Sequence, residues 1–192
     1  MASFYFYYSA MNAGKTSSLL QTDHNYREKS METLLFTYAM DTRFGPGVIY
    51  SRIGLRKQAI TFDKYFDFFR YVKGARSVAC VLVDEAQFLT KVQVDQLGDV
   101  VDLLNIPVLA YGLRTDFRGD DFDGSQRLLA IADIIIELKT VCHCGKKATM
   151  NMRIDENGNK ISEGEQIEIG GNEKYVSVCR KHFKMADRGC KS

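Results

Sequence analysis

The stretch SAMNAGKT, Ser9 to Thr16, limits what this chain can fold into more than any other. It follows FYFYY, Phe4 to Tyr8, an unbroken aromatic run that fits a strand covered on both faces. It leads into KTSSLLQTDHNYREKS, which reads as a helix with Leu19, Leu20 and Tyr26 near one side. TLLFTYA, Thr33 to Ala39, reads as the next strand. Strand, loop, helix and strand fit into about 40 residues, the size of a βαβ unit.

A loop in that position can cradle an anion, because backbone N–H groups and a helix N-terminus converge on it. The usual pattern is G-x-x-x-x-G-K-[ST], and here Ser9 replaces the leading glycine. Gly14 permits close backbone approach, Lys15 brings charge to the outer phosphates, and Thr16 offers a hydroxyl to Mg²⁺. Serine fits the first position as long as its φ is negative, since only a positive φ demands glycine. The plain alternative is a chance match, and the flanking strand and helix count against it.

The rest of the first 140 residues repeats the alternation. Residues 41–60 carry glycines and a proline and predict a long loop. Phe62 to Lys73 has the density of a buried helix, and its aromatics read as core rather than as a stacking platform. SVACVLVDEAQF, Ser77 to Phe88, predicts a strand running into an acidic pair. TKVQVDQLGDVVDLLN reads as an amphipathic helix, and IPVLAYGL and ADIIIELKT as strands. The pattern predicts an α/β fold with a mostly parallel sheet.

After Thr140 the chain becomes polar and glycine-rich, with DENGNK as a hairpin turn. The expected division is therefore 1–140 for the nucleotide-binding part and 141–192 for a second, smaller domain. Four of the five cysteines fall in the smaller part. Cys142 and Cys144 lie close together, as do Cys179 and His182, and three sulfurs with one nitrogen suit a tetrahedral metal. Such a metal would be structural, since protein fills all four positions. Unpaired thiols are the alternative. His143 is expected to point away, Cys80 to sit in the core and Cys190 in a tail, and His24 has no assigned role.

The acidic pair offers the other half of a phosphate site. Asp84 would serve the Mg²⁺ shell. Glu85 could take a proton from an attacking oxygen. A water as attacker makes an ATPase, and a substrate hydroxyl makes a kinase. The pair alone leaves both open.

Composition narrows the partners. The net charge is +2 with no basic run, so nothing marks a nucleic-acid surface. MASFYFYYSAM has no positive leader, and no apolar run nears the roughly 18 residues that span a bilayer. An odd cysteine number without a secretory leader argues against a disulfide framework. These features predict a cytoplasmic protein with no membrane partner.

Together, SAMNAGKT, VDEAQF, YGLRTDF, CHCG with CRKH, and IGGNEKYVSVC resemble the type II, cytosolic thymidine kinases, nearest their bacterial members. The resemblance covers nearly the whole chain. It implies a P-loop α/β domain with a small zinc-containing lasso domain, and transfer of the γ-phosphate of ATP to the 5′-hydroxyl of thymidine. It implies that Ser9, Ala10, Met11, Asn12, Ala13, Gly14, Lys15 and Thr16 hold Mg-ATP, with Asp84 on the metal and Gln87 beside the nucleotide. It implies Glu85 as the base and zinc on Cys142, Cys144, Cys179 and His182. It implies that the lasso, Glu163 to Tyr175, grips the thymine edge through backbone of Ile167, Glu168, Ile169, Gly170 and Gly171. Met11, Leu113, Phe117 and Tyr175 would enclose the ring, with Asp41 and Arg43 near the substrate. Asn151 departs from the animal-type members, which carry threonine near the methyl group. Feedback inhibition by thymidine triphosphate and a homotetramer are further implications. The competing reading is a small zinc-containing P-loop ATPase acting on nucleic acid.

Overall fold

The computed structural model of the protein describes residues 1–166 and 174–187. The chain begins with β1 (Phe4–Ser9), α1 (Lys15–Glu28) and β2 (Glu32–Tyr38). A hairpin of β3 (Val48–Tyr50) and β4 (Arg56–Gln58) follows, then β5 (Ile60–Phe62) and α2 (Phe68–Gly74). Next come β6 (Val78–Val83), a single 3-10 turn at Ala86–Phe88, α3 (Lys91–Leu104) and β7 (Val108–Leu113). The large half closes with α4 (Asp123–Ile131) and β8 (Ile134–Glu137).

β5, β2, β6, β7, β1 and β8 line up in that order as one sheet, and every pairing within it is parallel. Alternate side chains serve two cores, as strand geometry dictates. Phe4 and Phe6 of β1, Val81 and Val83 of β6, and Val108 and Ala110 of β7 face α2, α3 and α4. Tyr5, Tyr7, Cys80, Leu82, Leu109 and Tyr111 face the other way, against Leu19 and Leu20 of α1 and Ile49 of the hairpin. Each fully buried Phe or Leu contributes roughly 1.5–3 kcal/mol relative to exposure. The Tyr7 and Tyr111 rings stack with centroids 4.6 Å apart.

α3 starts at a capping box. Thr90 Oγ1 accepts from the Gln93 backbone N–H at 3.2 Å, and Gln93 Oε1 accepts from the Thr90 N–H at 3.0 Å. Gln93 Nε2 also donates to the carbonyls of Asp63 and Phe66, at 2.6 and 3.0 Å. It thereby fixes the segment that leads into α2.

Two expectations change here. The helix expected from Phe62 starts instead at Phe68, because Phe62 ends β5 and Asp67 caps the helix by accepting from Arg70 N–H at 2.9 Å. Residues 41–60 are not one long loop, because β3 and β4 pair antiparallel within them. α4 was not expected at all, and its nine residues include Gly124 at the second position.

The smaller half holds β9 (Thr140–Val141), β10 (Lys147–Ala148), β11 (Met150–Ile154), β12 (Lys160–Ile161), β13 (Tyr175–Val178) and α5 (Arg180–Asp187). β9 and β10 form a two-stranded ladder, and β12, β11 and β13 form an antiparallel sheet in that order. The predicted turn lies between β11 and β12, where Asp155 accepts from the backbone N–H groups of Asn157 and Asn159.

Candidate active site

Parallel strands deliver their C-terminal ends to one edge of the sheet, where α/β folds hold ligands. Ser9 of β1 lies level with Leu113 of β7, and Val83 of β6 lies level with Ala110 of β7. The segments after β1, β6 and β7 therefore meet.

The first is the loop from Ser9 to Thr16, the one expected to hold phosphate. Its backbone turns left-handed at Asn12 (φ 67°) and at Gly14 (φ 80°), and Ser9 is not among the positive-φ residues. A Cβ on Gly14 would touch nothing within 4 Å, so glycine is needed there for its dihedral and not for space. Ser9 does what glycine cannot: its hydroxyl accepts from Lys15 Nζ at 2.8 Å and donates to the Ala10 carbonyl at 2.6 Å. Burial pushes the Lys15 ammonium down to about 8, against the pull of Glu85 and Asp84.

The second segment is the acidic turn after β6. Asp84 is buried and accepts from Thr16 Oγ1 at 3.2 Å. Burial, with Glu85 beside it, pushes the Asp84 carboxyl up to about 7. The donor set of a hydroxyl and a carboxylate oxygen suits a hard cation such as Mg²⁺. Glu85 adopts a left-handed backbone, φ 53° and ψ 39°, which is costly for a residue with a side chain. Its carboxylate accepts from Gln87 Nε2 at 2.6 Å and from Arg43 Nη2 at 3.3 Å. Arg43 is itself held by Asp41, with Nε to Oδ1 at 2.7 Å and Nη2 to Oδ2 at 2.5 Å.

The third segment supplies the wall. Gln87 Oε1 accepts from Leu113 N–H at 3.1 Å, and the Leu113 carbonyl accepts from Ser125 Oγ at 2.5 Å. α4 can come this close only because Gly124 has no side chain: a Cβ there would lie 2.5 Å from the Leu89 carbonyl oxygen. Asp116, buried at the turn beyond β7, accepts from the N–H groups of Arg118 and Asp120 and so fixes Phe117. The Arg153 guanidinium lies 3.8 Å from the centre of the Phe117 ring.

These segments border an open cleft. Met11, Asp41, Arg43 and Glu85 line it, and so do Gln87, Leu113, Phe117 and Tyr175. Lys15, Thr16 and Asp84 gather beside it through their contacts with Glu85 and with one another. Ile167, Glu168, Ile169, Gly170 and Gly171 lie outside the described residues, as does Cys190. Thr115 lines the cleft too, and its buried Oγ1 is the one such side-chain atom without a hydrogen bond among the described residues.

Of the other residues here, Arg153 was not in the sequence-based set, and Asn151 was named only as a departure from the animal-type members. Asn151 and Arg153 are buried on one face of β11, at 2% and 3% exposure. Arg153 Nη2 donates to the Tyr175 hydroxyl at 2.8 Å and to the Glu165 carbonyl at 3.0 Å. The alternation MNMRID contained the clue, since Asn151 and Arg153 share a face. A polar face reads as solvent-facing from sequence, and here it faces the cleft.

In the smaller half, the ligand atoms of Cys142, Cys144, Cys179 and His182 all lie within 4.8 Å of one another. Cys142 Sγ is 3.3 Å from His182 Nδ1, and Cys144 Sγ is 3.9 Å from Cys179 Sγ. Such separations are the edges of a tetrahedron with metal–sulfur bonds of about 2.3 Å, so the four residues could hold zinc. His143 does not point away. Its ring centre is 4.3 Å from that of His182, and its Nδ1 is 3.7 Å from Cys142 Sγ. The tight turn closed by the Lys146 carbonyl on Cys142 N–H folds it back over the cluster.

A family model described as thymidine kinase matches residues 2–183. The chain belongs to the thymidine kinase family. Among curated relatives, the thymidine kinase of Legionella pneumophila strain Lens is 60% identical, over 98% of this chain and 92% of its own length. That of Mannheimia succiniciproducens is 58% identical, over 96% of both chains. That of Salmonella choleraesuis is 56% identical, over 97% of this chain and 92% of its own. Membership makes the chain a phosphotransferase that phosphorylates thymidine with ATP, and it disfavours the reading as an ATPase acting on nucleic acid. No helix among the described residues is long and apolar enough to cross a membrane.

Proposed function

We propose that the thymidine kinase reaction runs in this cleft with Glu85 as general base. The observation that carries the reading is the position of Glu85, bordering both the Lys15–Asp84 cluster and the aromatic wall of Phe117 and Tyr175. In this reading Ala10 to Gly14 wrap the triphosphate and Lys15 leaves Ser9 to grip its outer phosphates. Thr16 and Asp84 would hold Mg²⁺, which would offset phosphate charge. Gln87 and Arg43 orient the Glu85 carboxylate, and Arg43 with Asp41 faces the developing charge. Met11, Leu113, Phe117 and Tyr175 enclose the base, and the lasso from Glu163 to Tyr175 closes the pocket, with Ile167 to Gly171 at the thymine edge. Glu85 accepts the 5′-hydroxyl proton as that oxygen attacks the γ-phosphorus. Positioning and charge stabilisation supply most of such a rate enhancement.

The division into 1–140 and 141–192 belongs to the same proposal, with zinc as a structural ion of the second part. Thymidine triphosphate as inhibitor and a homotetramer rest on the family resemblance, and a cytoplasmic location on the sequence features given above; a strict monomer in chromatography would set the tetramer aside. The decisive experiment is Glu85→Gln. Turnover should fall about 10²- to 10⁴-fold while ATP still binds. A nearly unchanged rate would remove Glu85 from the mechanism.

A further inference from the structure

The phosphate loop is gripped from outside its own half of the molecule. Met11 N–H donates to Asn151 Oδ1 at 2.7 Å, and the Met11 carbonyl accepts from Ser177 Oγ at 2.6 Å. These partners lie 140 and 166 residues along the chain. They are also register partners: Asn151 of β11 sits opposite Ser177 of β13. The small sheet therefore presents one acceptor and one donor, side by side, to the two polar groups of a single loop residue.

Three features make this more than a packing contact. Asn151 and Ser177 are 2% and 8% exposed, so losing either partner strands a buried polar group. The Met11 N–H is committed to Asn151, whereas phosphate loops aim their N–H groups at the ligand. The left-handed turn at Asn12 comes immediately after, so the fixed Met11 peptide sets the direction from which that turn begins. Asn151 Nδ2 meanwhile donates to the Thr115 carbonyl at 3.0 Å, two residues before Phe117. One side chain thus ties the phosphate loop, the wall of the cleft and the small sheet together.

We propose that Asn151 and Ser177 are positioning residues that set the ATP-binding shape of the phosphate loop through the Met11 backbone. This rests on reading Ser9 to Thr16 as the triphosphate loop. The small half then serves the donor as well as the acceptor. β13 runs directly into Cys179, so a metal held by the cysteine cluster would anchor the strand that carries Ser177.

The test measures binding of a non-hydrolysable ATP analogue by calorimetry to the full chain. It compares Asn151→Ala, Ser177→Ala, Ser177→Thr, the Ala double variant and Lys15→Ala, with zinc content and melting temperature recorded for each. Asn151→Ala and Ser177→Ala should each weaken analogue binding about tenfold, the scale of one hydrogen bond. Ser177→Thr, which keeps the hydroxyl, should restore it. The double variant should lose less than the product of the singles, because both hold one residue. KM for ATP should rise more than KM for thymidine in Ser177→Ala. Unchanged binding in both Ala variants, while Lys15→Ala loses it, would overturn the proposal alone. So would a Ser177→Thr as weak as Ser177→Ala. Unchanged binding in Lys15→Ala would instead overturn the reading of the loop itself. If Asn151→Ala does not fold, the Ser177 pair decides.

Discussion

Phe36 and Cys179 are both buried, but their surroundings differ in kind. Phe36 has the rings of Phe66, Phe68 and Tyr71 around it, with centroids 5.5, 5.0 and 5.7 Å away. It belongs to a core that runs through β1, β2, β6, β7 and three helices. Cys179 belongs to a buried cluster of Cys142, Ala148, Val178 and Phe183, and two of these five residues are metal-ligand candidates. Apolar burial alone can hold the first region. The second has a much smaller buried apolar cluster, and small domains of that kind commonly depend on a metal. Yet the weaker region supplies Tyr175, Arg153, Asn151 and Ser177 to the site. The cleft is therefore lined from both halves, while the larger apolar core lies in only one of them.

The sharpest way to break this contrast is to disable the cluster of Cys142, Cys144, Cys179 and His182. Chelation or Cys179→Ser should disorder the small half, where a structural zinc is worth about 10 kcal/mol. Circular dichroism should retain the signal of the large half while thymidine phosphorylation disappears. Natively purified protein without zinc would count against the contrast outright. The mirror experiment is Phe36→Ala, which should cost about 3–5 kcal/mol and lower the melting temperature without releasing zinc.

Asp84→Asn sharpens the comparison further, because it separates function from stability inside the strong half. The Asp84 carboxyl is raised from 3.8 to about 7 in the fold. Below 3.8 both folded and unfolded forms carry the proton, and the group costs nothing. As pH rises from there to about 7 the unfolded chain ionises first, so stability falls across that window. Asp84→Asn should therefore melt higher than the parent at pH 8 and show no such gain at pH 3. It should also lose Mg²⁺-dependent turnover. Thr90→Ala gives the smallest effect, about 1 kcal/mol from the lost cap of α3, and should leave KM for both substrates unchanged.

Much of this is legible in the sequence alone. SAMNAGKT fixed a loop between strand and helix, and VLVDE put Asp84 at the end of a strand. Both follow from local rules, in which hydrophobic run length and helix-start chemistry decide the outcome. The hairpin at Val48–Gln58 was not legible, because strands of three residues are too short to show a period. α4 was hidden by Gly124, which weakens a helical reading and is explained only by the backbone packed against it. The roles of Asn151, Arg153 and Ser177 depend on partners far along the chain, such as Met11 and Phe117, and no local pattern encodes such pairings. His143 misled for a related reason, since spacing names ligands but not the path of the residue between them.

The left-handed backbone at Glu85 has an evolutionary corollary. Glycine would occupy that corner with less strain, so a laboratory search for heat-tolerant variants should be drawn to Glu85→Gly and return inert survivors. If Glu85 is the base proposed above, keeping a bulky acid in that uncomfortable bend is a standing concession of robustness to chemistry, renewed each generation only while the product is needed.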